Sequence, residues 1–496
     1  MGESVRMWNL LLHLLRETRQ PLGWRRRFML CFAMLAHAVL FSTAQAQLPP
    51  ALQSAWSATG LPESALSLVI EEVGGQRLAS HHAELARNPA SVMKLVTSWA
   101  ALDALGPAYT WDTKFFIDAA GGIGADGALN GPLYLKASGD PAFRLEDLWL
   151  TLRELRLRNI RIVPELVVDR SIFGRVGIDP GAFDGEGMRP YNASPDAWVV
   201  SFGAIRLMAE PDFDQQVWRV KMDPPIPAVR IEGEIGWSGN VCMGPPVVST
   251  ESFLAGDGGV IVRLSGQVPA SCGPFSLQRV VLDQASHAEQ VLRLMWEDLG
   301  GALLGRVREG EVPRDALLIH THQSPTLGTV IRDVNKFSNN LMARHLLLTL
   351  GAERGAQPAT AQSSAEALIA HLAARRLAMP ELVVENGAGL SRFERVSADS
   401  LSKLLQAAWL EPTMPDFVSS LAILGVDGTL RRRVRGEVAQ GRGRLKSGSL
   451  RDVRSMAGYI QGNSGRRYVV VSLINDERAA QANAFHDRLF NWVAMR

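Results

Sequence analysis

Residues 66–73 form a run of leucine and β-branched side chains, and Gly74-Gly75 behind it predicts a hairpin into 76–81. Asn88-Pro89-Ala90 interrupts the chain. From Ser91 to Leu105 apolar residues fill most faces of a helical wheel, the pattern of a buried, central helix, and Gly106-Pro107 ends it. From about 118 to 285 the texture changes: short alternating segments at 133–137, 162–169 and 260–264 sit among Gly, Pro and Asp clusters and predict a β-rich insertion. Helical periodicity resumes at 285–303 and continues through 326–350, 361–374 and 397–409. Strands at 455–461 and 467–474 follow, the second so continuously apolar that a central position is expected. An amphipathic helix at 480–493 closes the pattern.

The start of the chain reads differently. Arg25-Arg26-Arg27, the apolar run from Phe28 to Phe41 and Ala44-Gln45-Ala46 have the layout of a signal peptide over 1–46, too short in its apolar part to span a bilayer comfortably. A retained anchor is the rival reading, and Met7 and Met29 are alternative starts. Cys31 lies in the run without the small-residue context of a lipid site. Export places about 450 residues in the periplasm, more than one domain normally holds. Net charge is close to zero and no long basic tract exists, so nothing points to nucleic acid. Cys242 and Cys272 read as a disulfide in that oxidising compartment, with two free thiols as the alternative; two cysteines without a nearby histidine cannot complete a zinc shell.

Three short stretches carry candidate chemistry. In Ser91-Val92-Met93-Lys94 a hydroxyl sits where a helix begins and an amine lies one turn on, so burial can make Lys94 a neutral base for Ser91. Ser338-Asn339-Asn340 precedes an apolar helical run, and offers a second hydroxyl and an amide. Lys446-Ser447-Gly448 precedes a strand and suits an edge beside a cleft. There Lys446 and Ser447 would meet a substrate carboxylate, Gly448 would admit substrate backbone, and the Ser449 N–H would join that of Ser91 as an oxyanion hole. Each stretch alone is weak. Ser400-Leu401-Ser402-Lys403 and Ser238-Gly239-Asn240 are decoys, set aside because the first lies out of order and the second among ordinary turns.

In that order the three stretches resemble the penicillin-binding-protein and serine β-lactamase superfamily, and within it the class C low-molecular-mass D-alanyl-D-alanine carboxypeptidase/endopeptidases. The long gap between Ser91 and Ser338 carries the narrower likeness. Ser138-Gly139-Asp140-Pro141, 168–173, 386–392 and 425–430 are similar to the same family, as is the cysteine pair. The resemblance implies an α+β transpeptidase fold, an antiparallel sheet flanked by helices, built from 47–117 and 286–496. The β-rich insertion of 118–285, two subdomains in all, would interrupt it. It implies Ser91 as acylated nucleophile, Lys94 as base, Ser338 and Asn340 as relay and positioning pair, and Lys446, Ser447 and Gly448 as carboxylate site. It further implies that Asp169 and Arg392 grip the far end of a diaminopimelate side chain, one group for each charge of an amino-acid zwitterion. Substrates would be peptidoglycan stem peptides and cross-links, β-lactam antibiotics would be covalent inhibitors, and no metal or cofactor would be needed. Ser447 stands where a threonine is usual, and Arg451 where some relatives carry an uncharged residue. A β-lactamase or esterase on the same scaffold and a non-catalytic peptidoglycan-binding protein are the alternatives.

Overall fold

The computed structural model describes residues 48–496, so the leader reading lies outside the described residues. One part of it is a six-stranded antiparallel sheet in the order Ala422–Ile423, Gly443–Leu450, Val453–Gln461, Arg467–Asn475, Leu66–Glu72, Arg77–His81. Leu66–Glu72 and Arg467–Asn475 lie inside the sheet and pair in register from Leu66 with Ile474 to Glu72 with Tyr468. Their apolar residues serve both faces, because successive side chains point to opposite sides. Leu66, Leu68, Ile70, Val470 and Ile474 pack against helices Pro50–Ser57 and Asn483–Ala494 through Trp56, Phe485 and Phe490. Val69, Val469, Val471 and Leu473 face the opposite core, with Trp99, Leu346 and Leu401 from the central helices. Among these is Met93–Leu105, in which every residue from Met93 to Leu102 is buried.

The expected helix at 326–350 is two helices, Leu327–Lys336 and Asn340–Glu353. Ser338 separates them with φ +60°, a left-handed backbone that a continuous helix cannot contain. The 162–169 segment is likewise two strands, Ile162–Val163 and Leu166–Asp169, parted at Pro164. At 285–303 a helix, Gln284–Asp298, is followed by the two-residue strand Ala302–Leu303.

A second hydrophobic core gathers around Phe115, Leu135, Leu152, Val168, Trp198 and Trp296, and it also takes in Leu348 and Ala352 from beyond the expected insertion. A five-stranded sheet runs in the order Val307–Glu309, Leu166–Asp169, Leu133–Lys136, Asp112–Ile117, Leu317–Gln323, and so takes strands from both sides of 117 and 286. Two three-stranded sheets extend it, and Cys242 and Cys272 are joined as a disulfide, with their Cα atoms 5.0 Å apart. The β-rich texture conceals one helix, Leu145–Leu157, which buries Leu148, Leu152 and Leu155 at helical spacing. Its start is signalled by the Arg144 N–H donating to the Asp147 carboxylate at 2.9 Å. No helix among the described residues is long and apolar enough to cross a membrane.

Candidate active site

Ser91 lies in the 3-10 turn Ala90–Val92 that leads directly into Met93–Leu105. Ala90 is left-handed at φ +46°, a strained entry that turns the Ser91 side chain out of the core at the mouth of a cleft of about 280 Å³. Lys94 is fully buried, and its Nζ donates to Ser91 Oγ at 3.1 Å, to Asn340 Oδ1 at 2.7 Å and to the Ala388 carbonyl. None of those acceptors is charged. Burial, and then the nearby Lys446 and Arg344, hold the Lys94 amine well below the usual lysine range, while Glu394 opposes them. A buried amine whose proton is held less firmly than usual, 3.1 Å from a hydroxyl, is placed to exchange a proton with it.

The second stretch supplies two groups by different means. Asn339 caps its helix through Oδ1, which accepts from the Met342 N–H at 3.0 Å, and this fixes Asn340 as the first helical residue. The Asn340 amide then bridges, with Oδ1 towards Lys94 and Nδ2 donating to the Tyr191 carbonyl at 2.9 Å. Ser338, left-handed, directs its hydroxyl to Lys446, whose Nζ donates to it at 2.8 Å and to the Ser447 carbonyl at 2.8 Å. Lys446 is also fully buried, and burial lowers its amine to about 7.

The third stretch lies on Gly443–Leu450. The two-residue strand Ala422–Ile423 covers only Arg444 and Leu445, so the chain from Lys446 onward has an open edge. The Gly443 carbonyl accepts from Leu424 on that open side. Alternation along an antiparallel strand therefore turns the N–H groups of Ser447 and Ser449 the same way, towards the cleft. The Ser447 hydroxyl pairs with that of Thr429 at 2.7 Å, and Arg433 and Arg454 line the same cleft. Gly448 has a role within the chain itself. A Cβ there would collide with the Ser455 hydroxyl and lie 2.6 Å from the Pro89 carbonyl and 3.0 Å from the Ser91 nitrogen, so its bareness admits the nucleophile's own turn.

Asp169 and Arg392 each have local partners of their own. The Asp169 carboxylate is buried and committed to backbone, accepting from Ser171 at 2.9 Å and Val312 at 3.2 Å. These bonds outweigh burial and keep it below the usual carboxylate range. Arg392 instead lies over the Phe183 ring, 4.4 Å from its centroid, and pairs with Asp452 at 3.3 Å. It borders a separate cavity of about 500 Å³ with Arg344, Phe183 and Asn386. Tyr191, Ala388, Thr429 and Glu394 are site residues that residue types alone did not mark. The last three lie in or beside stretches noted above only for their family likeness, and Tyr191 acts through a carbonyl, which no side-chain motif can reveal. The decoys fall elsewhere: Lys403 is an exposed partner of Asp399, and Ser238-Gly239-Asn240 is a surface turn. Arg451 is exposed at the turn after the cleft strand.

The chain is similar to several known proteins. A D-alanyl-D-alanine carboxypeptidase of an Actinomadura species is 27% identical over 432 residues, covering 84% of this chain and 78% of the relative. The Haemophilus influenzae D-alanyl-D-alanine carboxypeptidase DacB is 23% identical over 416 residues, 81% of this chain and 83% of its own. The crystal structure of penicillin binding protein 4 from H. influenzae shares the fold, with a TM-score of 0.73 at 21% identity over 90% of this chain and 99% of that one. The sequence also matches the D-Ala-D-Ala carboxypeptidase 3 (S13) family across residues 50–495, and the chain belongs to that family.

Proposed function

We propose that Ser91 carries the reaction of this serine-type D-Ala-D-Ala carboxypeptidase, in the periplasm, on peptidoglycan stem peptides and their cross-links. The observation that supports this most is the fully buried Lys94 amine, held well below the usual lysine range by burial, 3.1 Å from the Ser91 hydroxyl. Lys94 takes the proton as Ser91 Oγ attacks the carbonyl carbon of the penultimate D-alanine. The N–H groups of Ser91 and Ser449 receive the developing oxyanion. Ser338, held by Lys446, relays that proton from Lys94 to the departing amine, and the C–N bond breaks to leave an ester on Ser91 and Lys94 ready to take a proton again. Water then hydrolyses the ester by the same groups in reverse. Ser447 with Thr429, beside Arg433 and Arg454, forms the polar end that receives the terminal carboxylate. Asp169 and Arg392 remain the candidate grip for the two charges at the far end of a diaminopimelate side chain. β-Lactams would acylate the same serine, and the chain from 118 to 285 would serve as the inserted unit.

Mass spectrometry after penicillin treatment tests this: one adduct on the wild type, lost in Ser91→Ala. An adduct that survives the substitution rules Ser91 out. Absence of any adduct favours a binding protein, and rapid release of hydrolysed penicillin a β-lactamase. A defined cross-linked muropeptide then reads whether monomer or free D-alanine appears.

A further inference from the structure

Glu394 is fully buried, yet it pairs with no cation. Its Oε1 accepts three backbone N–H groups, from Glu385 at 3.1 Å, Asn386 at 2.9 Å and Gly387 at 2.9 Å. Its Oε2 has no hydrogen-bond partner. Burial pushes this carboxyl above the usual range, and the three N–H donors and then the Lys94 charge oppose that push. Three donors converging on one oxygen favour the ionised form, because a protonated acid would leave its O–H without an acceptor in the core. The turn that these bonds hold is the one whose next carbonyl, Ala388, receives Lys94 Nζ, and whose Gly387 carbonyl receives the Thr97 hydroxyl at 2.7 Å from the same helix as Lys94. Ser391 ties the turn back, with its hydroxyl accepting from the Glu394 N–H at 3.0 Å.

The charges around Lys94 complete the case. Lys446 faces it from the cleft strand, Arg344 from Asn340–Glu353 and Glu394 from the 385–394 loop; Ser91 and Asn340 supply neutral groups. Arg344 is buried too, with Nε unpartnered and only a 2.7 Å bond from Nη1 to the Ala193 carbonyl. Lys446 and Arg344 therefore oppose a charge on Lys94 from two elements, and Glu394 favours one.

We propose that Glu394 is a positioning residue of the acylation site: it clamps the 385–388 turn so that the Ala388 carbonyl orients Lys94, and its negative charge sets how readily that amine holds a proton. This rests on the reading of Lys94 as the base, but its main readout does not. Glu394→Gln keeps an oxygen for the three N–H groups and removes the charge. Arg344→Met removes a cation that acts in the opposite direction. Titration of Lys94 by NMR of ε-13C-lysine protein, its signal assigned with Lys94→Arg, requires no turnover, and the chain has few lysines to resolve. Lys94 should titrate lower in Glu394→Gln, by about one pH unit, and higher in Arg344→Met. The acid limb of Ser91 acylation by a fluorescent penicillin should move the same way. Unchanged titration in both variants, or a shift of the same sign in both, overturns the proposal, because general loosening of the core cannot move one amine in two directions. Failure of wild-type acylation with opposite NMR shifts intact would instead count against the acyl-enzyme reading alone.

Discussion

Two tetrapeptides in this chain are spelled alike, Ser91-Val92-Met93-Lys94 and Ser400-Leu401-Ser402-Lys403, and both lie at the beginnings of helices. At the first, the lysine is sealed among neutral acceptors and two like charges, so its amine is driven towards the uncharged form. At the second, Lys403 stands in solvent and donates to Asp399 at 2.6 Å, which holds the proton more firmly. Ser400, for its part, has its N–H taken by the Ser397 cap at 3.0 Å. Spacing makes a pair of groups available to each other. Burial and the sign of the neighbours decide whether the pair can do chemistry.

The contrast can be broken by substitution. Lys94→Ala should lower the second-order rate of Ser91 acylation by about 10^3-fold, read by stopped-flow with a fluorescent penicillin. Lys403→Ala should leave that rate unchanged and alter stability by no more than about 0.5 kcal/mol. Equal losses from both would show that the two contexts do not differ as described. Next in size is Gly448→Ala, where the added methyl must displace the Pro89–Ser91 turn. We expect acylation to fall by about 10- to 100-fold and thermal denaturation to show a loss of about 1–3 kcal/mol. An unimpaired variant would mean that this turn yields freely.

The smallest effect is in pH dependence. Lys446 keeps its proton only below about 7 in the folded protein, whereas an unfolded lysine keeps one up to about 10.4. Between those values the unfolded chain binds the extra proton, so Lys446 makes the fold less stable as pH falls from about 10 to about 7. Denaturant titrations across that range should show the slope, and Lys446→Met should flatten it. Lys403, with its raised amine, contributes in the opposite sense and weakly.

The parts of the molecule governed by local pattern could be read from residues: the 66–81 hairpin, the Met93–Leu105 helix ended by Gly106, and a central Arg467–Asn475 strand. The breaks were harder. Nothing in the composition of 326–350 announces that Ser338 must be left-handed, because that conformation is imposed by what the loop has to reach. The Leu145–Leu157 helix was lost among turn residues although its Leu148, Leu152 and Leu155 spacing was present. In the site, side chains with reactive groups were legible, and groups acting through backbone, such as Tyr191 and Ala388, were not. The local partners of Asp169 were equally invisible. A carboxylate looks available in a sequence whether or not two N–H groups have already claimed it.

The pairing of Leu66 with Ile474 has a consequence for how the molecule comes into being. The strand beside the first hairpin is made near the end of synthesis, after the whole second core. Such a distant closure costs loop entropy before any contact repays it, and it places the chain among slow folders. The catalytic sheet must wait for its last strands, while the second core can close from nearer neighbours. The cleft strand that faces Ser91 is part of that late closure, so a nascent chain stopped short of residue 443 carries the nucleophile without the wall it works against.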